Sequence, residues 1–309
     1  MKKKVLVSAP YMQMDFDKLK EIFIERDVDV TLPIIREKMD ENELIKIIGE
    51  YDGVICGDDP FTRKVFESTT KLKVVSKWGT GINAIDLQAA ADHGVKVCNT
   101  PNAFSHPVAD TTLAFMLAFA RNVMTTDKQM KKGEWDKIRG FTLSEKTLGI
   151  IGLGNIGSQV AKRASAFNMH IIANDIKPIS PIILEQYGIT QVSKEEIFKN
   201  ADFISIHCDL NEDSFHVLNE DAFALMTRRP HIINTARGSH ISHSALLYAL
   251  ENNIISGAAL DVFEEEPIPA DDPILTRDDV ILAPHNSNNS PKYWAHVHTN
   301  TIKNLFKYL

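Results

Sequence analysis

Short β-branched and apolar runs recur along this chain, most of them separated by helix-forming stretches. Candidate strands are Val5–Ser8, Gly53–Cys56, Val74–Ser76 and Lys96–Cys98, followed by Leu148–Gly152, His170–Asn174, Phe203–His207, His231–Thr235, Gly257–Val262 and Val280–Ala283. Such alternation implies parallel sheets, because a parallel pair needs a crossover connection and a helix is the usual one. Runs that are apolar throughout, such as HIIN and VILAP, suit strands covered on both faces. Two stretches break the alternation. Residues 99–141 hold a long apolar helix, at about Val108–Arg121, and then a polar segment containing GEW; residues 285–309 read as a loop and a helix. The chain is expected to cross between two domains at those points. The expected fold class is α/β, with two Rossmann-like, doubly wound parallel-sheet domains. One is discontinuous, residues 1–98 with 286–309; the other is residues 99–285.

A chain of 309 residues has room for two domains of ordinary size. Its formal net charge of −7 argues against nucleic acid as a partner, which normally meets a basic face. Small anionic ligands remain compatible, since a site can be locally positive. Cys56, Cys98 and Cys208 lie far apart and form no CxxC pair. A disulfide framework or zinc site is therefore not expected, and a reducing, cytoplasmic setting fits. The opening MKKKVLV imitates a signal peptide, but its apolar run is short and Asp15, Asp17 and Lys18 follow soon after. The apolar run Leu113–Ala120 is about half the length of a membrane span, so no membrane partner is expected. The histidines show no metal-ligand spacing; His296 and His298, two apart, would not share a helix face. No metal site is expected.

Residues 147–157 read TLGIIGLGNIG, a strand running directly into Gly152, Gly154 and Gly157, with the helix-forming SQVAKRASAF after it. The first glycine permits a tight turn, the second lets backbone approach a pyrophosphate, and the third lets helix and strand pack closely. The helix N-terminus adds N–H groups and the positive end of a dipole. Asn155 and Ile156 complete the loop. The next strand ends at Asp175, close to the spacing expected of a carboxylate that binds a ribose hydroxyl and repels a 2′-phosphate. The expected cofactor is NAD.

Three later segments are NTARG (234–238), GAALDVFEEEP (257–267) and APH (283–285). With the glycine motif, WGTGINAIDLQAAADHGVKVCNTP (78–101) and KGEWDK (132–137), they resemble the D-isomer-specific 2-hydroxyacid dehydrogenase family, nearest its phosphoglycerate-dehydrogenase-like branch, over nearly the whole chain. The resemblance implies an NAD-dependent oxidoreductase that moves a hydride between nicotinamide and a small polar 2-hydroxy acid or 2-oxo acid. It makes Arg237 the residue that holds the substrate carboxylate, a task suited to a planar guanidinium. His285 becomes the general acid/base, and Glu266 the partner that orients its ring and favours imidazolium. Cys208, Thr235, Ala236, Arg237, Asp261 and His285 are expected to border the cofactor, with Asp261 near the nicotinamide carboxamide. Lys77, Thr80 and Gly81 join Arg237 and His285 as substrate contacts, Thr80 and Gly81 through backbone N–H groups. Residues 1–98 with 286–309 become the substrate domain, residues 99–285 the NAD-binding domain, and the cleft between them the active site. The apolar helix and the segment after it resemble a dimer arm, so a homodimer is expected.

The chain departs from the family pattern in places. Asn286–Ser290 is polar where the family is small and glycine-rich, which suits a substrate with extra hydroxyls. Asp209 and Asn211 replace a proline and a threonine, and position 110 is Asp rather than Glu. Lys77 aligns with a cation that holds phosphate in the phosphoglycerate branch, but Asp58 and Asp59 stand close to where another cation is expected, a place that Arg63 could fill instead. Glu264 and Glu265 read as a solvated acidic loop. A catalytically weak NAD(H)-sensing or corepressor-like protein on the same fold is the alternative reading.

Overall fold

The computed structural model describes residues 2–309. They form two compact units, one running to Phe104 and resuming at Asn289–Leu309, the other comprising Ser105–Asn288. The first unit holds five strands, β1 (Lys3–Val7), β2 (Val28–Thr31), β3 (Gly53–Cys56), β4 (Val74–Lys77) and β5 (Lys96–Cys98). They pair in parallel in the order β2-β1-β3-β4-β5. Strands β3 and β4 are buried throughout, so the sheet is covered on both faces there. Leu6, Val54, Val75, Phe61 and Phe66 fill one side. The helix Pro291–Tyr308 covers strands β3 to β5: Ser76 Oγ donates to Thr301 O at 2.9 Å, and a Cβ on Gly53 would lie 2.9 Å from Leu305 Cδ1. Trp78 Nε1 donates to His298 Nδ1 at 2.9 Å. These contacts make the unit discontinuous in sequence.

The second unit holds β6 (Thr147–Ile151), β7 (His170–Asn174), β8 (Ile189–Gln191), β9 (Phe203–Ile206), β10 (His231–Asn234), β11 (Gly257–Leu260) and β12 (Val280–Leu282). All are parallel, in the order β12-β11-β10-β9-β6-β7-β8. Successive side chains point to opposite faces, so Ile204, Ile232 and Ala258 enter one core and Phe203, Ile233 and Ala259 the other. Strand order reverses between β6 and β9, the place in a doubly wound sheet where a ligand crevice forms.

The contact boundaries fall at 104/105 and 288/289, a few residues beyond the sequence expectation of 98/99 and 285/286. The reason is side-chain and backbone hydrogen bonding. Residues 99–104 are tied to the first unit: Thr100 N donates to Gly79 O at 2.8 Å, and Asn304 Nδ2 donates to Asn99 O at 3.1 Å. Asn286 and Ser287 are tied to the second unit through Asp261.

Strands β2 and β8 are absent from the sequence reading. Both are sheet edges with a largely exposed face, where Asp29, Thr190 and Gln191 interrupt the apolar pattern. The long helix spans Ser105–Ala120, with Pro107 in its first turn, where the missing N–H costs no helical bond. A second helix, Val123–Lys131, follows after Asn122 in the left-handed region and buries nothing. Among the described residues, no helix is long and apolar enough to cross a membrane.

His231 packs against Phe119, Phe141 and Phe203, with ring centroids at 4.5, 6.3 and 5.1 Å. Burial pushes its pKa down from 6.5 to about 4. The folded ring stays neutral while the unfolded chain binds a proton, so stability is lost as pH falls from 6.5 towards 4, by at most about 1.4 kcal/mol per pH unit from this ring. His231→Phe should therefore lose less thermal stability than the parent between pH 7 and 4.5. Parallel melting-temperature profiles would refute this assignment.

Candidate active site

In the second unit the glycine loop follows β6 at the strand-order reversal. Gly152 has φ +91°, and a Cβ there would lie 2.4 Å from Cys208 N; a Cβ on Gly157 would lie 2.1 Å from Gly152 O. Only glycine allows the strand, the loop and the following helix to close this tightly. Gly154, by contrast, faces open space. It caps the helix Asn155–Ala166 without a side-chain hydrogen bond. Such an end, with no Cβ in the way, fits a pyrophosphate. Asp175 lies just past β7, its Oδ2 accepting from Leu153 N at 2.7 Å and its Oδ1 from Lys177 N at 2.8 Å. The carboxylate is thus fixed against the glycine loop, where a ribose would lie beside a pyrophosphate seated there.

The second cluster gathers at the C-terminal ends of β10, β11 and β12. Asp261 directly follows β11 and is 1% exposed. Its carbonyl accepts from His285 N at 2.7 Å, its Oδ1 from Asn286 N at 2.7 Å and its Oδ2 from Ser287 N at 2.9 Å. Burial pushes its carboxyl above the ordinary range, and the hydrogen bonds from Ser287 and Asn286 oppose that. His285 itself sits in the left-handed region, φ +51°, a conformation that a residue with a side chain keeps only when its surroundings impose it. Its Nδ1 meets Glu266 Oε2 at 2.9 Å, and Glu266 Oε1 accepts from Phe263 N at 2.8 Å. A carboxylate only accepts, so Nδ1 carries a hydrogen and Nε2 is the basic nitrogen of the neutral ring.

Arg237 lies on extended backbone in the loop after β10. Its Nη1 donates to Ala236 O at 2.7 Å. Asn234, 1% exposed, shapes the loop by donating from Nδ2 to Arg237 O at 2.8 Å and accepting from Ala236 N at 3.1 Å. A Cβ on Gly238 would stand 1.9 Å from Phe263 C, so the arginine loop and the Phe263–Glu266 loop touch backbone to backbone. Thr235 is buried, its Oγ1 3.3 Å from Thr112 Oγ1. Burial pushes the Cys208 thiol up to about 11, which leaves it a neutral neighbour of the loop.

In the first unit, Lys77 ends β4 and is 5% exposed. Its Nζ lies 3.3 Å from Asp58 Oδ1 and donates to Trp78 O at 3.0 Å. The adjoining Gly79–Gly81 loop is held by Thr80 Oγ1 donating to Thr100 O at 3.0 Å and Asn99 Nδ2 donating to Thr80 O at 2.6 Å.

Residues 113–287, more than half of the chain, match the family model described as D-isomer specific 2-hydroxyacid dehydrogenase, NAD binding domain. The chain belongs to that family of NAD-dependent oxidoreductases. It is 42% identical over 287 residues to the D-3-phosphoglycerate dehydrogenase of Methanocaldococcus jannaschii, with 91% of this chain and 53% of that protein covered. It is 38% identical over 285 residues to the hydroxypyruvate reductase of Thermotoga maritima, with 90% and 91% covered. A similar solved structure is the D-lactate dehydrogenase of Aquifex aeolicus complexed with NAD and lactic acid, at 26% identity and a TM-score of 0.87, with 97% of this chain and 93% of that chain covered. The chain thus spans about half the length of the phosphoglycerate dehydrogenase and most of the reductase. Its second unit is the family's NAD-binding domain, and NAD is the cofactor.

Some residues that brace these loops were not anticipated. Asn234 opens the quoted NTARG segment, but nothing in the sequence shows its amide folding back on the loop. His240 Nδ1 meets Arg237 O at 3.0 Å, and His207 Nε2 meets Ser205 Oγ at 2.7 Å. Burial pushes the His207 pKa down to about 3 and lowers that of His240 as well. Both rings are therefore neutral packing beside the glycine and arginine loops. Glu264 is not a merely solvated acid: its carboxylate meets His216 Nε2 and accepts from His243 N at 3.0 Å.

Proposed function

We propose that this chain catalyses reversible hydride transfer between NAD and C2 of a small polar 2-hydroxy acid or 2-oxo acid. The observation that carries the reading is the Glu266–His285 pair at 2.9 Å, on a corner held by Asp261 in the family's NAD-binding domain. When bound, NAD(H) supplies or accepts the hydride at nicotinamide C4. Arg237 binds the substrate carboxylate, its guanidinium oriented by Ala236 O. His285 Nε2 gives a proton to the carbonyl oxygen in reduction and takes the hydroxyl proton in oxidation. Glu266 positions the ring and stabilises its positive charge. Thr80 and Gly81 are the first unit's contacts to the substrate carboxylate. The glycine loop from Gly152 to Gly157, with Asn155 and Ile156, takes the pyrophosphate. Asp175 takes the adenosine ribose and disfavours a 2′-phosphate. Cys208, Thr235, Ala236 and Asp261 border the cofactor.

The same reading includes a homodimer in the cytoplasm. Val123, Met124, Met130, Trp135 and Ile138 are 52, 61, 46, 77 and 40% exposed within one short segment. Apolar side chains so concentrated on a surface favour a protein partner, and a second copy covers them symmetrically. Light scattering at micromolar concentration should give twice the mass of the chain; a monomer mass would refute the dimer.

Turnover itself is tested by NADH oxidation against a panel of glyoxylate, hydroxypyruvate, pyruvate and phosphorylated 2-oxo acids. At least one should be reduced. His285→Gln should lower kcat on the order of 10²–10⁴-fold while NADH still binds. Glu266→Gln withdraws a negative charge from the imidazolium, so reductive activity should fail at lower pH than in the parent, and oxidation should begin at lower pH. A His285 variant of near-parental rate, or an unmoved Glu266→Gln profile, would contradict these roles.

A further inference from the structure

Strand order in the first unit reverses between β1 and β3, so the ends of those strands form the natural ligand crevice of this sheet. Ser8 follows β1, and Gly57, Asp58 and Asp59 follow β3. The two acids do different things. Asp59, fully buried, is a structural clip: its Oδ2 accepts from Ser8 Oγ at 2.8 Å and from Gly57 N at 2.9 Å, and its Oδ1 from Met39 N at 2.7 Å. Asp58 instead faces Lys77, whose side chain is 6% exposed against 28% for its own. Lys77 Nζ also lies beside the loop that carries Thr80 and Gly81, 3.8 Å from where a Cβ on Gly79 would stand.

A buried ammonium at a ligand crevice needs an anion, because an unpaired buried charge is strongly unfavourable. That anion can come from the ligand or from the protein. Here the protein supplies it. A phosphate arriving at Lys77 would have to displace Asp58 or lie against it, and like charges in contact are repelled.

We propose that Asp58 is a specificity-determining residue: by pairing with Lys77 it closes the first unit's substrate contact to a second anionic group, so the chain reduces 2-oxo acids with an uncharged polar tail and rejects their phosphate esters. This rests on the hydride-transfer reading above. A hydroxyl can approach the pair as both donor and acceptor, whereas a phosphate can only accept from Lys77 while opposing Asp58.

The test is the ratio of kcat/KM for hydroxypyruvate and for its 3-phosphate ester, measured on the same preparation so that folding losses cancel. The parent should favour hydroxypyruvate. Asp58→Asn, nearly the same shape without the charge, should move the ratio at least about tenfold towards the phosphate ester, and Asp58→Ser should do likewise. Adding Lys77→Met to either variant should abolish that shift, since the released ammonium is what the phosphate would meet. A parent that prefers the phosphate ester overturns the proposal. So does a ratio unmoved in both variants while hydroxypyruvate is still reduced. Absence of turnover with every 2-oxo acid overturns the hydride-transfer reading itself, and this proposal with it.

Discussion

The candidate site of the second unit depends on one buried carboxylate. Asp261 reaches the corner after β12 with its carbonyl and both carboxylate oxygens, and so fixes His285, Asn286 and Ser287 together. Without those three bonds the left-handed backbone at His285 has little to maintain it, since that conformation is unfavourable for a residue with a Cβ. The imidazole direction follows from the corner, and the contact with Glu266 follows from the imidazole direction. Glu266 is in turn fixed by Phe263 N, in a loop that touches Gly238 and so the arginine loop. Backbone donors and acceptors carry most of this arrangement. They lose no rotamer freedom, which makes them better supports for a reacting group than long flexible side chains.

The glycine loop works by the same economy of side chains. Gly152 and Gly157 close the turn on Cys208 and on itself, while Gly154 leaves open space at the helix end. Burial keeps His207 and His240 neutral, so neither adds charge beside the glycine and arginine loops. The first unit behaves differently. There, at a strand-order reversal, Asp58 pairs with Lys77 while Asp59 holds Ser8, Gly57 and Met39.

The parallel architecture was legible because buried strands such as β3, β4 and β10 carry adjacent β-branched apolar residues, covered on both faces. The edges β2 and β8 were not, because one face is wet and the pattern dissolves into polar residues. The places of Gly152, Asp175, Arg237, Glu266 and His285 at strand ends and loops could be read from motifs whose spacing reflects strand–loop–helix geometry. Asp261 stood out at the end of its strand, but its hold on residues 285–287 was not visible in the sequence. A pairing between positions far apart in the sequence leaves no local signature. The same holds for Asp58 and Lys77: the sequence shows an acid and a base, and only the fold shows them 3.3 Å apart. The helix Val123–Lys131 escaped notice because it buries nothing, so no apolar stripe marks it.

In the proposed reaction NADH delivers its hydride directly to C2 of a 2-oxo acid while His285 delivers only a proton to oxygen. The most direct measurement is label transfer from NADH deuterated separately at each face of C4, with hydroxypyruvate as acceptor and the product read by mass spectrometry and NMR. One deuterated epimer should place a single deuterium at C2, the other none, and C2 should take up nothing from heavy water. A product labelled at C2 from solvent, or unlabelled from both epimers, would contradict it.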